Sequence, residues 1–292
     1  MKIIPESELI LSKRGAIYHL DLLPEEVADT IITVGDPDRV KAVSMYFDRL
    51  EVARQHREFV THTGHIGKKR LSVISTGIGT DNIDIVLTEL DALFNIDLQT
   101  RQVKSNLTTL KIIRVGTSGA LQPDIAIDSI VSSGFAIGMD NLLNFYQLEN
   151  TPFEKELLFA FLNHVQENHI AFLPYIAGGS DSLLSDFSAI SARGITITCP
   201  GFYGPQGRLL RAAPAFPQLI NQLSTFSMPG QRITNFEMET AGIYGMARIL
   251  GHEAISLSTI IANRIEKKFS RNPNKSVDKL IKLTLEKLCA DS

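Results

Sequence analysis

The chain has 292 residues, 44% of them hydrophobic, with a formal net charge of -3 and two cysteines, Cys199 and Cys289. That length allows one large α/β domain or two small ones. The near-neutral charge speaks against nucleic-acid or membrane-surface partners, and two cysteines make no disulfide framework. No apolar run reaches the length of a membrane span, no CxxC, HExxH or calcium-loop pattern occurs, and residues 1–8 lack a secretory signal, so a cytoplasmic protein without structural metal is expected.

Thr30-Ile31-Ile32-Thr33-Val34 reads as a buried strand, after which Gly35 turns the chain. Asp36 is placed to cap a helix whose first position is Pro37, where a missing N–H costs nothing. Residues 71–75 read as a second strand followed by Gly77 and Gly79. Ile83, Val86, Leu87, Leu90 and Leu93 then fall at helical spacing. Residues 111–115 form a third strand running into Gly116, residues 129–137 a fourth, and residues 170–177 a fifth. A helix over 238–250, ended by Gly251, leads to a strand over 254–262. The last helix carries Val277, Leu280, Ile281, Leu285 and Leu288 on one face. Residues 97–109 and 214–230 read as surface insertions. The alternation predicts a single α/β domain over residues 1–292, with a central mixed β-sheet flanked by helices. Sites in such folds collect at the carboxyl ends of strands.

Four segments carry candidate chemistry. Gly35-Asp36-Pro37-Asp38-Arg39 pairs a strand-end glycine with an arginine, and Arg114 precedes Gly116-Thr117-Ser118-Gly119, which offers hydroxyls and exposed amides. Arg57 is a third candidate anion ligand; each arginine alone reads equally well as a surface ion-pair partner. Asn235-Phe236-Glu237-Met238-Glu239-Thr240 sets two acids around a methionine at a helix start, where an acid is also favoured by the macrodipole alone. Phe202-Tyr203-Gly204-Pro205-Gln206-Gly207-Arg208 joins an aromatic, an amide and a guanidinium, in a composition equally common in surface turns.

In this order, from about His19 to Arg264, the segments resemble the nucleoside phosphorylase superfamily, and its uridine phosphorylases most closely. The resemblance implies phosphate binding by Gly35, Arg39, Arg114 and Thr117, with Arg57 reaching in from a neighbouring subunit. It implies ribose binding by Glu239 and Met238, and by His19, which would reach the 5′-hydroxyl from the partner. It places uracil against Phe202, Gln206 and Arg208, with Arg264 supporting the O4 end. Arg114, Glu239, Gln206 and Arg208 are the implied catalytic set. The implied reaction is phosphorolysis of uridine to uracil and ribose 1-phosphate in pyrimidine salvage, with phosphate as co-substrate and no cofactor. A homo-oligomer, at least a dimer, would be needed. Purine-specific relatives use an aspartate where this chain reads Ile260-Ile261-Ala262-Asn263-Arg264. Hexameric bacterial relatives hold a monovalent cation through a glutamate matching Glu58 and a serine; Asn82 stands in the serine's place, which argues against potassium here. The alternatives are a purine nucleoside phosphorylase or nucleosidase of the same superfamily, and a non-catalytic nucleoside-binding protein. Arg114→Ala is expected to weaken phosphate dependence with little change in fold.

Overall fold

The computed structural model describes residues 2–165, 173–189 and 192–290. Strand β1 (Thr30–Val34) is buried at every position, and its side chains alternate between two apolar layers. Helix α1 (Pro37–Ser44) follows, with Asp36 accepting the Asp38 N–H at 3.0 Å and Pro37 in the first turn, as the sequence predicts. Strands β2 (Arg49–His56) and β3 (Phe59–Ile66) form a hairpin that periodicity does not announce, because β2 is mostly exposed. Strand β4 (Lys69–Ser75) returns to the centre, and α2 (Thr80–Asn95) starts after Gly79 at a φ of 100° that favours glycine.

Strands β5 (Ile96–Asp97) and β6 (Gln102–Val103) pair as a small separate hairpin within the polar 97–109 region. Arg101 there donates to the carbonyls of Ile4, Pro5 and Leu9, so this insertion ties down the N-terminal segment. Strand β7 (Lys111–Ala120) runs past the expected end at residue 115, since residues 116–120 keep pairing with later strands. Strand β8 (Ile130–Gly138), α3 (Pro152–Val165) and β9 (Tyr175–Gly178) come next. Part of the strand expected over 170–177 lies outside the described residues.

The second half holds α4 (Asp181–Asp186), β10 (Ala192–Thr198), α5 (Leu219–Thr225), β11 (Ser227–Met228) and β12 (Gln231–Glu237). Helix α6 (Thr240–Leu250), β13 (Glu253–Asn263), β14 (Lys268–Phe269) and α7 (Pro273–Cys289) complete the order. The 214–230 stretch is not merely a surface insertion: Leu219, Leu223 and Phe226 are buried, the two leucines on consecutive turns of α5.

One mixed sheet runs β11-β12-β10-β8-β13-β7-β1-β4-β3-β2, and β12 also pairs with β7. That extra pairing closes β7, β12, β10, β8 and β13 into a ring, while β1 to β4 extend as an open wing. Ile31 packs with α2 and α6 on one face; Ile32 and Val34 pack with α1 and α7 on the other. The central mixed sheet flanked by helices is the expected architecture.

Candidate active site

The loops after β1, β4, β10 and β12 and the ends of β7 and β13 meet around a cavity of about 680 Å³. Gly35, Arg39, Arg114, Thr117, Phe202, Gln206, Arg208, Met238 and Glu239 all line it. Residues as far apart in sequence as Gly35 and Glu239 are thus brought to one place. His19, Arg57 and Arg264 are not among its walls.

At one end Arg114 is folded back over Gly116, where a Cβ would lie 1.9 Å from its Nη1. Only glycine admits that path. The guanidinium is buried and shared by two acids: Nη2 lies 2.6 Å from Glu239 Oε2 and 3.0 Å from Glu237 Oε2, and Nη1 donates to Ser258 Oγ at 3.2 Å. Burial pulls the Arg114 pKa down, but Glu237 and Glu239 together outweigh it and hold the group above its ordinary value. Burial raises the Glu239 carboxyl against the pull of Arg114, and Glu237 adds to the rise. The two shifts are linked, since the Arg114 cation serves both carboxylates. The expectation that Arg114→Ala spares the fold is therefore corrected: truncation strands two buried acids.

Glu237, which also lines the cavity, is a residue that sequence reasoning left without a role. Its carboxylate accepts the N–H groups of Glu239 and Thr240, each at 2.9 Å, and the Thr198 hydroxyl at 2.7 Å. It thereby caps α6, which begins at Thr240 and not at residue 238. Glu239 is held in turn by the Gly79 N–H at 2.9 Å. Among the described residues, the Arg39 side chain is tied only by a long bond, 3.4 Å, to the Val115 carbonyl. Burial, then the Arg114 charge, lowers its pKa.

At the other end Gln206 is buried, and Arg208 Nη1 donates to its Oε1 and to the Phe202 carbonyl, both at 2.5 Å. The Arg208 guanidinium carbon sits 3.6 Å from the Phe202 ring centre. Burial, with Arg264 nearby, lowers the Arg208 pKa to about 10, so it stays a cation near neutrality. Arg264 donates to the carbonyls of Gln206 and Gly207 at 2.9 and 3.3 Å, and so grips the backbone of this turn. Asn263 is buried and donates to the Gln122 and Ile125 carbonyls at 2.9 and 3.0 Å. Ile261, Ala262 and Phe269 also line the cavity; the exposed Phe269 arrives from β14 without any signal in the sequence. Glu58 and Asn82 are further wall residues.

Arg57 occupies the β2–β3 turn at a φ of 55°, and its Nη2 donates to the Tyr18 hydroxyl at 3.3 Å. His19 is next to Tyr18, the ring centres 4.8 Å apart. These groups form a cluster of their own beside the N-terminal segment.

The profile of the phosphorylase superfamily matches residues 29–290. A uridine phosphorylase of Thermococcus kodakarensis is 31% identical over 263 residues, covering 89% of this chain and 82% of that protein. A DeoD-type purine nucleoside phosphorylase of Colwellia psychrerythraea is 27% identical, covering 92% of this chain and 97% of that one. Among solved structures, a Trypanosoma brucei nucleoside phosphorylase described as showing uridine phosphorylase activity aligns with a TM-score of 0.86 at 29% identity. That match covers 97% of this chain and 99% of the other. The chain belongs to the phosphorylase superfamily.

Proposed function

We propose that the protein is a uridine phosphorylase, a pentosyltransferase that converts uridine and phosphate reversibly to uracil and ribose 1-phosphate in pyrimidine salvage. The observation that carries this reading is one cavity with Arg39 and Arg114 in its wall, Glu239 paired to Arg114, and the linked pair Gln206–Arg208 in the same wall. Phosphate needs several charge-assisted donors, which Arg39, Arg114, Thr117 and the Gly35 amide supply. Breaking the glycosidic bond builds positive charge on the ribose and negative charge on the base. Glu239 accepts from the 2′- and 3′-hydroxyls, and Met238 gives the sugar apolar contact. Gln206 pairs with the uracil edge, Phe202 packs on the ring, and Arg208 stabilises the charge growing on O4. Arg264 acts through the turn it grips. No cofactor takes part, and Asn82 argues against a potassium ion.

The name of the Colwellia relative favours a second reading, a purine nucleoside phosphorylase. Against it, the segment Ile260–Arg264, where purine enzymes carry an acid, holds none, and the amide of its Asn263 is committed to backbone carbonyls. A nucleosidase would have no use for phosphate arginines. The test is uracil release from uridine with and without phosphate, beside inosine and thymidine. Strict phosphate dependence with uridine preferred is the expected result. Equal or better turnover of inosine moves the protein to the purine branch, and no turnover of any of the three favours a nucleoside-binding role.

The subunit is read as part of a cytoplasmic homo-oligomer, at least a dimer, because His19 and Arg57 stand outside their own chain's cavity. In this reading they complete a neighbour's site. Mixing inactive Arg57→Ala with inactive Glu239→Ala is expected to restore activity, since a hybrid dimer contains one intact composite site. No recovery after demonstrated subunit exchange would mean that each chain builds its own site.

A further inference from the structure

Glu89, on α2, is a buried carboxylate for which the reaction described above has no use. Its Oε1 accepts the His19 backbone N–H at 2.9 Å and lies 2.6 Å from His19 Nδ1. Its Oε2 accepts the backbone N–H groups of His19 and Leu20, at 3.0 and 2.9 Å. A carboxylate only accepts, so the ring nitrogen facing it must be the donor. Nδ1 then carries the proton, and Nε2 is the nitrogen left for a partner. The rest of His19 is equally fixed: its carbonyl is bonded by His56 Nδ1 at 2.8 Å, and Leu20 is buried in the core. The side chain nevertheless keeps 29% of its surface open, and its Nε2 has no hydrogen bond among the described residues.

We propose that Glu89 is a positioning residue for recognition of the nucleoside 5′-hydroxyl. It holds His19, the residue to which the family resemblance assigns that hydroxyl, in the Nδ1–H tautomer and presents Nε2 as the acceptor in the adjoining subunit's site. This rests on the uridine phosphorylase reading and on a shared site. An amide cannot replace the acid, because its NH₂ would face a backbone N–H.

The experiment compares uridine with 5′-deoxyuridine, which differs only in the group that His19 would read. The unmodified protein should prefer uridine, and Glu89→Gln should cut that preference by about tenfold while turnover of 5′-deoxyuridine stays within about twofold. His19→Ala should remove the same preference, and the double variant should lose no more. Equal losses on both substrates would reduce Glu89 to a structural role and overturn the proposal. A second measurement needs no Glu89 variant to fold: ¹⁵N NMR of the unmodified protein, with His19 assigned by comparison with His19→Asn. An Nδ1–H signal supports the proposal, and an Nε2–H tautomer overturns it. Absence of turnover with any nucleoside would overturn the activity reading and the hydroxyl role together. Turnover of uridine without a Glu89-dependent preference would overturn the Glu89 role alone.

Discussion

Arg114→Ala should lose nearly all phosphorolysis and lower the stability of the fold at the same time. Arg114 is 6% exposed, and its guanidinium bridges Glu237 and Glu239. Removing one partner of a buried ion pair typically costs about 3–5 kcal/mol, because the remaining charge has neither water nor counter-ion. Arg39→Ala is the control. Among the described residues that side chain makes only the long bond to Val115, so its loss should weaken phosphate binding by about 1.5–3 kcal/mol, the range for a charge-assisted bond, with stability little changed. Urea midpoints and phosphate saturation curves at fixed uridine separate the two effects. A wild-type midpoint in Arg114→Ala would contradict the buried triad. Unchanged phosphate saturation in a folded Arg114→Ala would remove Arg114 from the phosphate site.

The legibility of this site in the sequence follows from how local each signal is. Asp36 and Pro37 mark the β1–α1 turn because capping acts over two or three residues, and α2 shows itself through five apolar residues at helical spacing. Gln206 and Arg208 are close enough in the chain to be read as a pair, and the structure joins them directly. Other features depend on contacts that no local pattern encodes. Glu237 looks like any acid near a helix start until Thr198, from a neighbouring strand, and Arg114 are brought against it. The β2–β3 hairpin escapes because an exposed strand shows little apolar alternation. Arg264 is legible as a base-site residue only through the resemblance, and its grip on the Gln206–Gly207 carbonyls appears only in three dimensions. The extension of β7 beyond Gly116 has the same cause: its partners there lie in β12 and β13.

Truncating Arg208 should erase most of the choice between uridine and cytidine. Uracil offers an N3–H and the O4 acceptor, whereas cytosine offers a bare N3 and an amino donor that would face the Arg208 cation. A site whose buried polar groups are left unpaired by the wrong base can discriminate by ~10⁴-fold or more. Here the Gln206 amide oxygen is pinned by Arg208, so in the proposed site the guanidinium has two tasks, to read the base and to orient its reader. Arg208→Ala removes the donor where charge grows on O4, so kcat should fall more than affinity for uridine. It also frees the Gln206 amide to turn, which should cost ~10²-fold or more of the discrimination against cytidine. The turn itself should survive, because Arg264 still holds the carbonyls of Gln206 and Gly207. Arg208→Lys restores a charge without the planar fork, so part of the rate should return and little of the selectivity. The measurement is kcat/KM for uridine and cytidine with the unmodified protein and both variants. Unchanged rejection of cytidine by a folded Arg208→Ala would leave Gln206 as the sole reader and end the claim that Arg208 orients it.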